Sequence, residues 1–488
     1  MSTIHDQAMN YVYQQVLQRL LSFFSRAERT ALQLLIQRLS VAAGGMEHIG
    51  NFKVLVVQSG SRDSCYTLAL LRAAQLSIAG RAPATFQLRV ATLRWSGSGQ
   101  SALQNMHRSF NALFLNDDPR VELLMVDHRE VMPFDHQAPI GESGRDAHRR
   151  NLLMVGHCRT WNEPLEFWDD AYLATAEFYG QIARWNNGVD AMIGSETPRR
   201  QSLFLEGLNR AAQKAGIGGL AENRGGFEML FPLLDQLGGD YYRHFYTDDE
   251  TTPWRPEGQF EACRRTSYID INDMIVGKLE ERWPLLSEFL GVQADDLSLY
   301  RGDNEFADPL LAAHLQGLQA SLVEARTYEA GVSEFLQDTL LGMRRKQVPE
   351  PVCEQLIAAF GNLSDLDQLC ARASKQLQET FELSEIQVAC LMFAPFINKG
   401  SGLERFLRHC HPGMLVALPD LHRAMQGLHA SEQVTKWMVD VSGLPVKLIA
   451  RLYAMGPVCM AQACGNAAQG TGLDTGSSLS AVDRTAEG

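Results

Sequence analysis

The chain has 488 residues, of which 45% are hydrophobic and 21% charged, and its formal net charge is −13. That length exceeds one compact core and fits about two to four domains of ordinary globular composition. The acidic balance excludes a general binder of nucleic acid or of anionic membrane, although it leaves room for a local basic groove.

The nine cysteines are scattered and form no CxxC pair, which points to a reducing compartment without a disulfide framework. No stretch approaches ~18 consecutive apolar residues. The first residues lack the basic and apolar regions of a secretory signal. A cytoplasmic location is expected, with no membrane partner.

Residues 8–43 read as two amphipathic helices. Val12, Val16, Leu17, Leu20 and Leu21 share one face of the first, which ends near Phe23 and Phe24. Ser25 with Glu28 three residues on forms a capping box for the second. That helix carries Leu32, Leu35, Ile36 and Leu39 and stops at Gly44-Gly45. Residues 1–48 form a helical preface that docks on the next domain or on a partner.

The pattern then becomes α/β. Val54 to Val57 is an apolar, β-branched run suited to a strand buried on both faces. The small polar turn Ser59-Gly60-Ser61-Arg62-Asp63-Ser64 follows, and Leu68, Leu70 and Leu71 carry a helix. Such a corner offers an anion the N–H groups of a first helical turn and the positive end of its dipole. Gly60 permits close backbone approach, and Ser59, Ser61 and Ser64 supply hydroxyl donors. As local structure alone, the same corner is a turn whose serines cap a helix.

The turn resembles the SGGxDS signature of the PP-loop ATP pyrophosphatases, with Ser61 in place of the second glycine. The resemblance implies a loop that holds the pyrophosphate of ATP through Ser59, Gly60, Ser61 and Arg62. It also implies that Asp63 assists Mg²⁺ binding and acts with Ser64 at the reacting phosphate. If Ser61 must adopt a positive φ, ATP binding is weakened.

Phe86 to Arg94 is the second strand and runs into Trp95-Ser96-Gly97-Ser98-Gly99. By the resemblance, Ala91, Thr92 and Leu93 seat the adenine. A helix around 101–115 precedes a third strand, Val121 to Val126, ending at Asp127-His128. This alternation implies a parallel sheet with right-handed crossovers, and the fold class expected is a doubly wound α/β sheet.

Residues 129–150 read as a polar loop that includes the basic cluster Arg145, His148, Arg149 and Arg150, with an apolar segment, Leu152 to Val155, beyond it. The Arg150-Asn151 pair before that segment resembles the 7-cyano-7-deazaguanine synthase branch of the PP-loop family. A helix at 170–185 followed by Gly188-Val189-Asp190-Ala191-Met192-Ile193-Gly194 resembles that branch's later strand. The likeness implies that Gly194, Ser195 and Glu196 line the pocket and that Arg150, Asn151, Arg199 and Arg200 lie near the substrate. Read locally, Gly194 is equally a strand-to-loop break.

A helix at 202–214 and a strand at Phe227 to Leu234 come next. The synthases carry four zinc-binding cysteines in the region that follows, whereas residues 240–270 here hold only Cys263. A structural zinc needs four ligands at close spacing, so zinc is not expected. Trp254, Arg255, Cys263, Arg264 and Arg265 are candidate substrate contacts.

From 272 onward amphipathic helices dominate, at 272–290, 307–343, 350–361, 364–381, 384–396, 415–428 and 431–455, with no fixed-period repeat. His409-Cys410-His411-Pro412 reads as a turn rather than a metal site. The small-residue tail cannot bury enough surface to offset its ordering entropy. The expected division is a helical segment at 1–48, a nucleotide-binding α/β domain at 49–270, an α-helical domain at 271–464 and a disordered tail at 465–488.

Two functions follow. The first is an ATP- and Mg²⁺-dependent, AMP-forming ligase that adenylates a carboxylate or carbonyl substrate, of deazaguanine type by the resemblance, for attack by an amine. Lys53, Arg62 or the Arg145–Arg150 cluster would add positive charge. The second is a catalytically degenerate PP-loop scaffold that binds a protein partner through its C-terminal helices. The acidic charge and the lack of a basic appendage count against a nucleic-acid-modifying relative.

Overall fold

The computed structural model describes residues 2–128, 130–165, 167–217, 227–237, 245–246, 265–277, 279–293, 308–345, 350–360 and 366–458. It is an α/β structure around a six-stranded, mostly parallel sheet. The strands are β1 (Lys53–Val57), β2 (Gln87–Arg94), β3 (Val121–Asp127), β4 (Glu130–Pro133), β5 (Ala191–Gly194) and β6 (Ser267–Asp270), in the spatial order β4-β3-β2-β1-β5-β6. Only β4 runs antiparallel to its neighbour. Strand order therefore proceeds from β1 to β3 in one direction and resumes on the other side of β1. Ligands collect at such a reversal, beyond the carboxyl ends of the strands.

Side chains alternate between the two faces of a strand, and the two apolar layers obey that rule. Val54, Val56, Leu88 and Val90 pack with α1 (Ser2–Phe23), α2 (Arg26–Ala42), α3 (Arg62–Ala79) and α4 (Gln100–Ala112). Leu55, Ala91 and Val126 face the opposite layer, built by α5 (Glu142–His157), α6 (Asp169–Arg184) and α7 (Pro198–Lys214). That second layer runs without interruption into the C-terminal helices, through Phe381, Leu391 and Phe406.

The N-terminal capping box forms as read: Glu28 N donates to Ser25 Oγ at 3.2 Å, and Ser25 N donates to the Glu28 carboxylate at 2.7 Å. The same carboxylate accepts a 2.6 Å bond from the Tyr66 hydroxyl, which fastens α2 to α3.

Several expectations are corrected. Residues 129–150 are not one loop: among those described, Glu130–Pro133 is an edge strand, and α5 starts at Glu142 and carries Leu152 to Val155 as its buried half. Phe227 to Leu234 is not a strand but a 3₁₀ turn, Phe227–Met229, leading into α8 (Leu230–Leu237). Among its buried positions, Leu230, Phe231 and Leu234 follow Phe227 at helical spacing, but so short and dense an apolar run does not by itself tell a helix from a strand.

The sixth strand, β6, was not anticipated. Among the described residues of 272–290 there are only a 3₁₀ turn, Asn272–Met274, and the short α9 (Leu279–Pro284) with the π turn after it. Residues 307–343 divide into α10 (Pro309–Leu318) and α11 (Tyr328–Arg345), parted near Ala325, which has φ +56°. Later come α12 (Glu350–Phe360), α13 (Leu366–Phe381) and α14 (Glu385–Phe393). Residues 431–455 form two helices, Glu432–Ser442 and Val446–Ala454, divided at Gly443 with φ +69°. Trp254, Arg255, Cys263, Arg264 and the tail at 465–488 lie outside the described residues. Among the described residues, no helix is long and apolar enough to cross a membrane.

Candidate functional site

The site begins where β1 ends. Gln58 N continues the ladder by donating to Ala91 O at 2.8 Å, and Gln58 Nε2 donates to Ser64 O at 2.7 Å, tying the strand end to the first turn of α3. Between them Gly60 turns the chain at φ +70°. A Cβ there would overlap the carbonyl oxygen of Ala102 at the start of α4. Glycine is required at 60 both by dihedral and by space.

Ser61 stands at φ −71°, ψ 162° as the N-cap of α3 and accepts from Ser64 N at 3.3 Å. The concern that this serine needs a left-handed backbone is thereby corrected. Its conformation is extended, which any L-residue adopts. The hydroxyls of the turn bond to one another, Ser59 Oγ to Ser61 Oγ at 3.0 Å and Ser61 Oγ to Ser64 Oγ at 3.2 Å. Ser64 Oγ donates in turn to Ser61 O at 3.0 Å, so the three hydroxyls form a connected chain at the helix N-terminus.

A cavity of about 210 Å³ opens at this point, at the reversal of strand order. From the turn it gathers Ser59, Ser61, Arg62 and Asp63, from β2 Thr92 and Leu93, and from beyond β5 Glu196 and Arg200. Gly60 and Ser64 shape the turn beneath it. Ala91 sits under the turn as the partner of Val57 and Gln58. Ser195 is bound to α3 by a 2.6 Å bond from Thr67 Oγ1.

Gly194, at the end of β5, has no room for a side chain, because a Cβ would land on the Tyr268 hydroxyl. That hydroxyl donates to Glu196 Oε2 at 3.3 Å. Burial, together with the neighbouring Asp270, holds the Glu196 carboxyl above its ordinary range. Burial and the Glu196 charge likewise push the Tyr268 phenol up. Asp270 is itself anchored by Gln201 Nε2 at 3.0 Å.

Other predicted residues stand elsewhere. Asn151, on α5, accepts from the Tyr246 hydroxyl, and the Arg150 guanidinium lies 6.0 Å from the centre of that ring. Neither lines the cavity. Arg145 and Arg149 meet Glu382, at 3.6 Å to its carboxylate and 3.1 Å to its carbonyl, so this basic pair docks the C-terminal helices. Arg199 is exposed beside Arg200 and does not line the cavity. Lys53 lies at the start of β1, the end of the strand opposite the turn, with Glu122 at 3.5 Å. His409 and His411 pack on aromatic rings, Phe393 at 5.7 Å and Trp437 at 5.3 Å.

Sequence reasoning missed an aromatic wall and one cation. Trp95 lines the cavity, and so do Tyr172, Tyr179 and Phe204 from α6 and α7. The backbone at Gly97 lies so close to the Trp95 indole that a Cβ would strike the ring. The cation is Arg282 of α9, which does not itself line the cavity but reaches Asp63 there: its Nη1 lies 3.7 Å from Asp63 Oδ1, while Arg200 Nη1 lies 3.2 Å from Asp63 Oδ2. No local pattern around 282 signals this, since the contact depends on how the chain returns to the sheet. Beyond the cavity, the strand ends at Arg94 and Asp127 are both buried, and Arg94 Nε and Asp127 Oδ1 have no hydrogen-bond partner.

Chemically the arrangement is suited to an anion. It combines a helix N-terminus, linked hydroxyls and the Arg200 guanidinium, with Arg282 paired to Asp63 beside them, on one side and an aromatic wall and a raised carboxyl on the other. No family model, curated protein or solved structure matches the chain.

Proposed function

We propose that the chain is an adenylating enzyme of the PP-loop ATP pyrophosphatase type, built on a doubly wound sheet. It transfers AMP from ATP to a carboxylate or carbonyl oxygen of a small acid or base, releases pyrophosphate and lets an amine displace AMP. The observation that carries this reading is the Ser59–Ser64 turn. It sits at the strand-order reversal, with Gly60 left-handed against Ala102 and Ser61 capping α3.

The groups present fit a nucleotide and its cation. Ser59, Ser61, Ser64 and the N–H groups of the first turn of α3 bind the departing pyrophosphate. Arg200 and Arg282 offset its charge, while Thr92, Leu93 and the Trp95 wall border the base. Asp63 is the carboxylate that would hold Mg²⁺, and the ion would supply further neutralisation of the phosphates. Glu196, kept above its usual range, is suited to take a proton from the attacking amine. The rest of the catalysis is positioning and fixed charge.

A second reading, a scaffold whose nucleotide turn is retired, draws on one observation: the Asp63 carboxylate is already engaged by two arginines. Incubation with α-labelled ATP, Mg²⁺ and candidate acids separates the two. AMP and pyrophosphate from the wild type, and their loss in Asp63→Ala, are expected of the enzyme. Failure to bind ATP at millimolar concentration, or release of ADP and phosphate, refutes it.

A further inference from the structure

We propose that Arg200 and Arg282 form a clamp for the phosphates of the ligand, and that Asp63 occupies this clamp in the ligand-free protein. Binding is then an exchange of one anion for another. The proposal rests on the nucleotide reading above and adds to it a phosphate-binding residue, Arg282, together with a device that regulates the site.

The two arginines are held differently. Arg282 is preset: its side chain is 13% exposed, and its guanidinium lies 5.0 Å from the centre of the Tyr66 ring. Tyr66 is buried, and its hydroxyl is fixed by Glu28 at 2.6 Å. A guanidinium stacked on a fixed ring keeps its place when a counter-ion leaves. Arg200, in the first turn of α7, has a side chain 50% exposed and can follow an incoming anion.

Asp63, in the first turn of α3, bridges both. Its single negative charge faces two positive ones and the positive end of a helix 18 residues long, so the site still attracts anions with Asp63 in place. A pyrophosphate or triphosphate group brings several negative charges and bidentate acceptors for both guanidinium groups. It therefore displaces the carboxylate. Asp63, once released, would face the cation that polyphosphates carry, so one residue would serve the site both with and without the anion.

This arrangement gives Asp63 a sign that a purely metal-binding or purely structural aspartate does not have. The test is calorimetric titration of the full-length protein with inorganic pyrophosphate in the presence of EDTA. The Asp63→Asn variant, with no charge to compete, binds more tightly than wild type. Arg282→Gln and Arg200→Gln each bind about tenfold more weakly or worse, as expected for loss of a charged hydrogen bond. Circular-dichroism melts check that each variant is folded. Where Arg282→Gln fails that check, Arg282→Lys, which keeps the charge but loses the fork, shows a smaller loss.

Unchanged or weaker binding by Asp63→Asn in EDTA overturns the exchange. Wild-type affinity in Arg282→Gln overturns the clamp, and absence of pyrophosphate binding in wild type and Asp63→Asn alike overturns both. The expected pyrophosphate pattern without AMP formation from ATP would instead leave the clamp standing and sink the adenylating reading.

Discussion

Gly60→Ala is the substitution that most directly tests the geometry of the turn. A left-handed backbone at a residue with a Cβ costs about 1–2 kcal/mol. The new methyl also overlaps a backbone carbonyl, Ala102 O, which yields only if the start of α4 moves, an overpacking cost of about 1–3 kcal/mol. Together they come to about 2–5 kcal/mol. The neighbouring position behaves oppositely. Ser61 is extended at φ −71°, so Ser61→Ala loses only a helix cap, about 1 kcal/mol, and Ser61→Gly a few tenths by the same rule. The expected order of stability is wild type, Ser61→Gly, Ser61→Ala and, well below, Gly60→Ala, read from urea unfolding followed by circular dichroism. Pyrophosphate affinity should follow the same order. A Gly60→Ala protein as stable as wild type refutes the left-handed turn against Ala102. Markedly tighter nucleotide binding by Ser61→Gly refutes the conclusion that this serine is accommodated.

Gly194→Ala should disturb the Glu196–Tyr268 pair, since the methyl meets the Tyr268 hydroxyl, the Tyr268 Cζ and Glu196 Oε2; Tyr268→Phe, which removes the nearest of these atoms, should restore part of the lost stability in a double-mutant cycle, and additive losses would argue against the overlap. Phe381→Ala removes a 3% exposed ring from between Trp95, Trp168 and Phe167. It should cost about 3–5 kcal/mol and red-shift tryptophan emission, and an unshifted spectrum contradicts the packing. Burial pushes the His157 imidazole down to about 3. As pH falls below about 6.5 the unfolded chain takes up the proton and the folded one does not, so stability drops by up to about 1.4 kcal/mol per unit. His157→Leu should flatten urea midpoints between about pH 7 and about pH 5 by that mechanism; an unaltered slope rules it out.

What the chain discloses by itself is mainly local. The Ser25–Glu28 box and the first three strands are written in contiguous residues, and the structure bears them out. Phe227 to Leu237 could not be assigned the same way. Phe227, Leu230, Phe231 and Leu234 already fall at helical spacing, but with Met229 and Leu233 between them the run is apolar almost throughout, and its first eight residues suit a buried strand as well. β6 has only four residues, and what makes it a strand is the neighbouring edge of β5 rather than its own pattern. At the site, the residues of the turn and of β5 were legible because each lies in one short segment. Arg282 and Tyr268 were not, since their roles depend on returns of the chain from far along the sequence. The sign of φ at 60 and 61 was equally hidden. A signature shows which small residues are present, while Ala102 decides which of them must be glycine.

The C-terminal helices pack directly behind the wall of the cavity, which narrows how the two functional readings relate. Trp95 lines the cavity and is 5% exposed, and its ring meets Phe381 of α13 at 5.8 Å and Trp168 at 6.3 Å. Arg159 Nη2 donates to Leu391 O and Met392 O of α14, at 2.6 and 2.8 Å, just beyond the end of α5. A platform merely attached to an enzyme would touch it through exposed, exchangeable contacts. Here the contact is a buried aromatic cluster one ring away from the cavity, and close-packed rings transmit displacement rather than absorb it. A partner seated on the outer surface of these helices would therefore bear on the cavity through Phe381 and Trp95. The helical region and the cavity have to be treated as one unit, whichever of the two readings survives the ATP assay.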